Sequence, residues 1–298
     1  MGVLLSFFSA LSFSANYVAV RRGVRERPER DAVIITNLIN FIILGIISFI
    51  ILMTMKPVEW SWLGLLFFAL AGLFTSFLGR LALFGGIRRI GSARAVAVKN
   101  ASPMVTIILA ILIIQEDITL LPSLGILLII IGLSFMIHQD WKKGEGNQEP
   151  QTNRIGILIA LCAMFGFGLG QTFRKLGVVH MNEAIIGAWL GVATSLLLSF
   201  LMEIVRGSGK QLPSYFNPKN WNRYFFLAGV FSSLALIFFF SALRSIPIAY
   251  VSAISALEPI LTVAITALFL KTDANKLTRK FYVTLGIIVF GVGLIAFK

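Results

Sequence analysis

Two opposite charges lie deep inside apolar runs, Lys99 within 93–114 and Glu258 within 249–270. At 1.5 Å of helical rise per residue, Lys99 sits ~10 Å into its run and Glu258 close to the middle of its own. A charge at that depth costs about 2.5–3.5 kcal/mol on insertion scales. Three chemistries account for such a pair. Lys99 and Glu258 line a central cavity and bind the two ends of a zwitterion, such as an amino acid. Alternatively, Lys99 binds an anionic substrate while Glu258 titrates and couples transport to protons. In the third, the two form a structural ion pair, and loss of one partner harms folding. The residue types alone leave all three open.

The neighbouring residues suit a polar solute. Pro103 and Pro259 lack an N–H and open or kink their helices. The carbonyls they free, with Asn100, Ser102, Ser252 and Ser255, offer hydrogen bonds. Prolines and hydroxyls are also ordinary in membrane helices. Asn16, Tyr17, Gln171 and Arg174 lie at related ends of two further runs, where a gate or cavity wall is expected. Arg80 and Arg94 are nearer the ends of their runs and are expected to snorkel to the interface.

Other chemistries are missing. His138 and His180 are the only histidines, with no cysteine or acidic cluster at metal-ligand spacing. There is no GxxxxGK[ST] loop for ATP and no plausible Ser/His/Asp set. The sequence therefore calls for no metal, no cofactor and no enzyme. Cys162, the single cysteine, is embedded in an apolar run and cannot form an internal disulfide.

Composition explains what surrounds these groups. Of 298 residues, 57% are hydrophobic and 13% charged, against about 45–50% and about 25% in soluble domains. That excludes a soluble enzyme, a disordered chain and a coiled coil. Ten apolar runs are visible: 2–20, 32–55, 62–86, 93–114, 120–138, 155–173, 184–204, 224–243, 249–270 and 281–297. Each is close to the ~20 residues a membrane helix needs. Their continuity selects helices over barrel strands. The first run has no basic leader region and no small-residue cleavage site, so it reads as a crossing. The net charge of +13 belongs to loops, since no basic stretch is interleaved with aromatics as a nucleic-acid platform requires.

A polar linker at 139–154 splits the chain into halves, 1–138 and 155–298, with five runs each. The segment 93–106 aligns without gaps on 249–262, with Pro103 opposite Pro259, Lys99 opposite Ser255 and Ser102 opposite Glu258. Arg88-Arg89-Ile90-Gly91 falls opposite Arg244-Ser245-Ile246-Pro247, and Asp117 opposite Asp273. Five is odd, so the second copy enters the membrane from the other side. That is the inverted-topology repeat common in secondary transporters, whose substrate site lies near the midplane at the repeat interface.

With these motifs in place, the chain resembles ten-helix members of the drug/metabolite transporter superfamily, EamA type. Phe13-Ser14-Ala15-Asn16-Tyr17-Val18-Ala19-Val20-Arg21 is similar to the end of that family's first helix, with Phe13 in place of a usual Trp and Arg21 in place of a Lys. The small-residue runs to Pro103 and to Pro259 resemble its fourth and ninth helices. Glu116 resembles an acidic residue that often follows the fourth, where the second copy has Thr272. The resemblance implies metabolite transport, export more than import, and both termini in the cytoplasm.

Charge counting opposes that last point. Connections after the odd runs, with Arg94 at the very start of the fourth run, carry 19 Lys and Arg, against 5 after the even runs and at the C-terminus. The positive-inside rule then puts both termini outside. The expectation is an all-α integral membrane protein of ten transmembrane helices in two inverted five-helix repeats. It carries a small-molecule substrate across a lipid bilayer, the cell membrane, with a coupling proton or ion. It exists as monomer or dimer. Small superfamily members also resemble lipid-linked-sugar flippases, the rival class. Gly-x-x-x-Gly at 166–170 and 187–191 is expected to serve internal packing. Trp60, Trp62, Trp141 and Trp221 are expected as interface anchors.

Overall fold

The computed structural model describes residues 1–54, 58, 60–115, 119–143, 154–181, 183–255, 257–270 and, further on, 283, 286, 287, 290, 291 and 294. Glu116, Asp117, Asp273, most of the 139–154 linker and most of the tenth run lie outside the described residues, as do the side chains of Arg94, His138 and Trp141. Among the described residues the ordered elements are helices, because hydrocarbon offers no partner for an unpaired backbone group.

Helix α1 spans Gly2–Gly23 and α2 Glu29–Thr54. Helix α3 (Trp62–Ala71) passes through a π-helical segment, Gly72–Gly79, into α4 (Arg80–Ile90) without a break. The fourth run divides into α5 (Ser92–Lys99) and α6 (Ser102–Leu109), the latter ending in a π segment at Ala110–Ile114. Helix α7 is Leu120–Lys143, α8 is Arg154–His180 and α9 is Ala184–Val205. The short α10 (Leu212–Tyr215) lies in the next connection, before α11 (Arg223–Leu243). The ninth run divides again, into α12 (Ile248–Ser255) and α13 (Glu258–Leu270).

Seven helical stretches among the described residues are long and apolar enough to cross a membrane. The fourth and fifth runs contribute the shorter apolar stretches Ser102–Ile114 and Ser123–Gly132. The fourth run falls short of a full-length helix for a reason written in its sequence. A proline ring clashes with the carbonyl four residues earlier and donates no hydrogen bond to it. Helix α5 ends at Lys99, four residues before Pro103, and α12 ends at Ser255, four before Pro259.

The molecule is apolar outside and hydroxyl-lined inside. Ile46, Phe49, Leu112 and Leu201 are exposed, whereas Ser9, Ser14, Asn37, Asn40, Ser195, Ser232 and Ser252 are buried. That distribution fits lipid, where the hydrophobic effect does not join helices and small polar residues do.

Packing is reciprocal between the halves. Helix α1 lies along α11, and its counterpart α8 lies along the α3–α4 stretch. Helix α2 packs on α9, its own equivalent, and α5–α6 meets α12–α13. Equivalent helices run antiparallel: Arg30 at the start of α2 faces Glu203 at the end of α9, and Asn37 bonds Ser195. The connections after α1, α4 and α9 gather at one end, where Arg88 pairs with Glu29 at 2.7 Å and the Tyr215 hydroxyl donates to Asp31 at 2.9 Å. Burial and that carboxylate raise the Tyr215 pKa above its ordinary value. Glu183 and Arg244, 3.5 Å apart, meet at the other end.

Both Gly-x-x-x-Gly pairs face inward. Gly166 and Gly170 pack on the π segment at Gly79 and Thr75, and Gly187 and Gly191 against Phe68 and Gly72. Trp189 stacks on Phe41 at 5.3 Å in the interior, while Trp60 and Trp62 are exposed. Trp221 departs from a plain anchor, donating its Nε1–H to the Tyr215 carbonyl at 2.7 Å. A methyl group at Gly72 would meet the Gly191 backbone, which cannot swing aside. Overpacking costs typically about 1–3 kcal/mol. Gly72→Val is therefore expected to lower the melting temperature in detergent by several degrees, whereas Gly207→Ser, on an open turn, lowers it less.

Candidate functional site

The proline breaks decide where the site forms. At each break the last carbonyls of one half-helix and the first N–H groups of the next lose their helical partners. The two breaks sit against each other because α5 packs on α13 and α6 on α12. One freed carbonyl, that of Ser255, accepts a hydrogen bond from Asn100 Nδ2 at 3.1 Å. The Glu258 carbonyl accepts from Ser14 Oγ at 3.0 Å. The break in the ninth run is thus stitched by polar side chains from two other helices, Asn100 at the fourth-run break and Ser14 on α1.

Lys99 is the last residue of α5 and Glu258 the first of α13. Lys99 Nζ lies 2.6 Å from Glu258 Oε2, and both side chains are 2% exposed. The ammonium also donates to the Tyr17 hydroxyl at 3.4 Å and lies 4.7 Å from the centre of the Phe167 ring. Coulomb attraction, a hydroxyl and an aromatic face together replace the water each charge gives up. The placement at helix ends helps further. A cation at a C-terminus and an anion at an N-terminus both oppose the local helix dipole.

A second cluster adjoins the first. Gln171 Oε1 accepts from Ser252 Oγ at 2.6 Å and from Thr106 Oγ1 at 3.5 Å, joining α8, α12 and α6. Ser102 is buried where Gly168 lets α8 approach α6 closely. Pro103 and Pro259 open the second halves of their helices. Asn16 takes no part in this constellation: its Nδ2 donates to the Ala228 carbonyl at 2.7 Å and fastens α1 to α11.

The structure thus brings together Lys99, Glu258, Tyr17, Asn100 and Ser255 around the breaks, with Gln171 and Ser252 beside them. It corrects one expectation about arginine. Arg80 does not reach the interface. It is buried, donating to Asn37 Oδ1 at 2.8 Å and to Ser232 Oγ. Helix α8 continues to His180, which carries Arg174 into the interior, where it donates to Thr75 Oγ1 at 2.9 Å. Asn37 and Asn40, a helical turn apart in the second run, were the available sign of a polar seam facing Arg80.

With the geometry in view, the comparisons give it a setting. The family model described as "EamA-like transporter family" matches the chain twice, over residues 1–138 and 154–297. A solved structure titled only "Crystal structure of protein" is 16% identical, with a TM-score of 0.69, covering 99% of this chain and 98% of the other. That likeness concerns the fold. No curated protein sequence matches the chain.

Removing one member of a buried pair strands the other charge, at about 3–5 kcal/mol. Lys99→Met alone is expected to melt far below the wild type. Lys99→Met combined with Glu258→Leu, which removes both charges, recovers most of that loss. A double-mutant cycle on melting temperatures in detergent reads the coupling.

Proposed function

The chain belongs to the EamA-like transporter family, and from that premise we propose that it is a secondary carrier for a small zwitterionic metabolite, an amino acid or close relative. Multi-pass membrane transport is the family's activity; the substrate, direction and mechanism are proposed here. The architecture is ten crossings in two inverted five-helix repeats, 1–138 and 155–298, joined by the linker 139–154. The antiparallel course of equivalent helices supports it.

The observation that carries the reading is the enclosed Lys99–Glu258 pair at the meeting point of two repeat-equivalent broken helices. A zwitterion carries the same two charges as the pair. Its carboxylate takes the Lys99 ammonium and its amine takes the Glu258 carboxylate, so every charge stays matched as the ion pair opens. Tyr17 and Asn100 already hold polar groups at this point and can redirect them to the ligand. When the ligand leaves, Lys99 and Glu258 close on each other again, and the empty carrier keeps no bare charge in the membrane interior.

That exchange supplies alternating access. The ion pair ties α5 of the first repeat to α13 of the second. Opening it loosens one repeat against the other around a fixed site, the motion such folds use. Export follows the direction the family resemblance implies, and a proton or other ion gradient supplies the coupling. The cell membrane is the proposed location.

The test is a melting panel on purified protein with amino acids, dicarboxylates, phosphorylated metabolites and polyprenyl lipids. A ligand at 100 times its Kd stabilises by about 2.7 kcal/mol. An amino acid is expected to raise the melting temperature of the wild type and not of the Lys99→Met/Glu258→Leu double variant. A shift with polyprenyl lipid alone would overturn the reading in favour of a flippase.

A further inference from the structure

A second buried charge cluster differs from the first in one respect: among the described residues it contains no acid. Arg80 and Arg174 are each 5% exposed. Arg80 donates to Asn37 Oδ1 and Ser232 Oγ, and Ser232 accepts also from Asn40 Nδ2 at 3.1 Å. Arg174 donates to Thr75 Oγ1 and lies against the rings of Phe239 and Phe240, at 5.2 and 5.5 Å. Thr75 and Ser76 are 3.5 Å apart, and the Ser76 carbonyl accepts from Asn37 Nδ2 at 3.1 Å. One network therefore joins the two guanidiniums, through neutral groups only. No described carboxylate comes within 4.0 Å of either.

Such a cluster is short of negative charge. A guanidinium presents five N–H donors and no acceptor, and Arg174 uses one of them on a described partner. A cavity of about 10 Å³ adjoins it, with Arg174, Thr75 and Ser76 on its polar side and Phe68, Leu236 and Phe240 on its apolar side. That volume is near the threshold for one water-sized occupant. The π segment Gly72–Gly79 shapes the wall by turning Thr75 and Ser76 inward. π-bulges frequently mark functional sites.

We infer that Arg174, with Arg80 behind it, binds a compact anion against the π segment. The ligand is either a free halide or the carboxylate of a bound metabolite, which suits the planar donor fork, and either one widens the water-sized cavity on entry. The Lys99–Glu258 pair already has its counter-charge, so the arginine cluster is the one that calls for an anion, and that need does not depend on the zwitterion reading.

The experiment is a melting series on the purified wild type at constant ionic strength. Sodium methanesulfonate, whose tetrahedral head is bulkier than a halide or a planar carboxylate, is replaced stepwise by sodium chloride or by sodium acetate. The expected result is a saturable rise of roughly 5 °C with at least one of them, absent in Arg174→Gln. Chloride alone identifies a halide site, whereas acetate, with or without chloride, identifies a carboxylate site. In methanesulfonate, Arg174→Gln is expected to melt no lower than the wild type, because it removes an unneutralised charge. The absence of any saturable shift in the wild type, or an equal shift in Arg174→Gln, would overturn the inference. Should Arg174→Gln not fold, Arg174→Lys keeps the charge and loses the fork. Half-saturation rising about tenfold then supports the site, and unchanged half-saturation contradicts it.

Discussion

A charge taken out of water must be compensated by what surrounds it, and in this molecule Lys99 and Glu258 compensate each other 2.6 Å apart. Much of the fold can be understood as the means of bringing them there. They come from different repeats, on different half-helices, across 159 positions of sequence. Each stands at the end of a half-helix that a proline has cut, so each also meets a favourable dipole. The break after α12 also frees the Ser255 carbonyl, which Asn100 then occupies, and Ser14 bonds the Glu258 carbonyl beside it. Charge pairing, helix breaking and polar stitching are one arrangement.

The surrounding helices hold that arrangement through close backbone contact. Glycines at 72, 79, 166, 170, 187 and 191 let the α3–α4 stretch lie against α8 and α9, and the equivalence of the halves repeats the approach on the other side, where α1 lies along α11. Close packing buries Tyr17, Asn100, Ser252 and Gln171. In the proposed cycle, opening begins at the Lys99–Glu258 contact, where a ligand can replace the polar partner that each group loses.

Much of this was legible in the sequence. Ten apolar runs, the central linker and the paired prolines identify a two-repeat helical membrane protein, because each rests on a local property, apolar length or a missing N–H. The site was partly legible for the same reason: a lysine and a glutamate deep in repeat-equivalent runs stand a helical turn apart in repeat coordinates, while their contact was left open. Arg80 and Arg174 were harder. Whether a long side chain snorkels or turns inward depends on what faces it, and their partners Asn37, Ser232 and Thr75 come from other helices. The Asn16 bond to Ala228 was hidden likewise, since its acceptor is a backbone carbonyl of α11. The π segment has no sequence signature, and it sets which way Thr75 and Ser76 point.

The central claim is that ligand takes the place of the Lys99–Glu258 contact. Infrared difference spectroscopy reads it most directly, comparing purified protein with and without a saturating amino acid, and using Glu258→Gln to assign the buried carboxylate band. Displacement of the Lys99 ammonium by the ligand's amine predicts a shift of the Glu258 band on binding that is absent from Glu258→Gln. Binding that leaves the Glu258 band where it was would show that the pair stays closed, and would return Lys99 and Glu258 to a purely structural role.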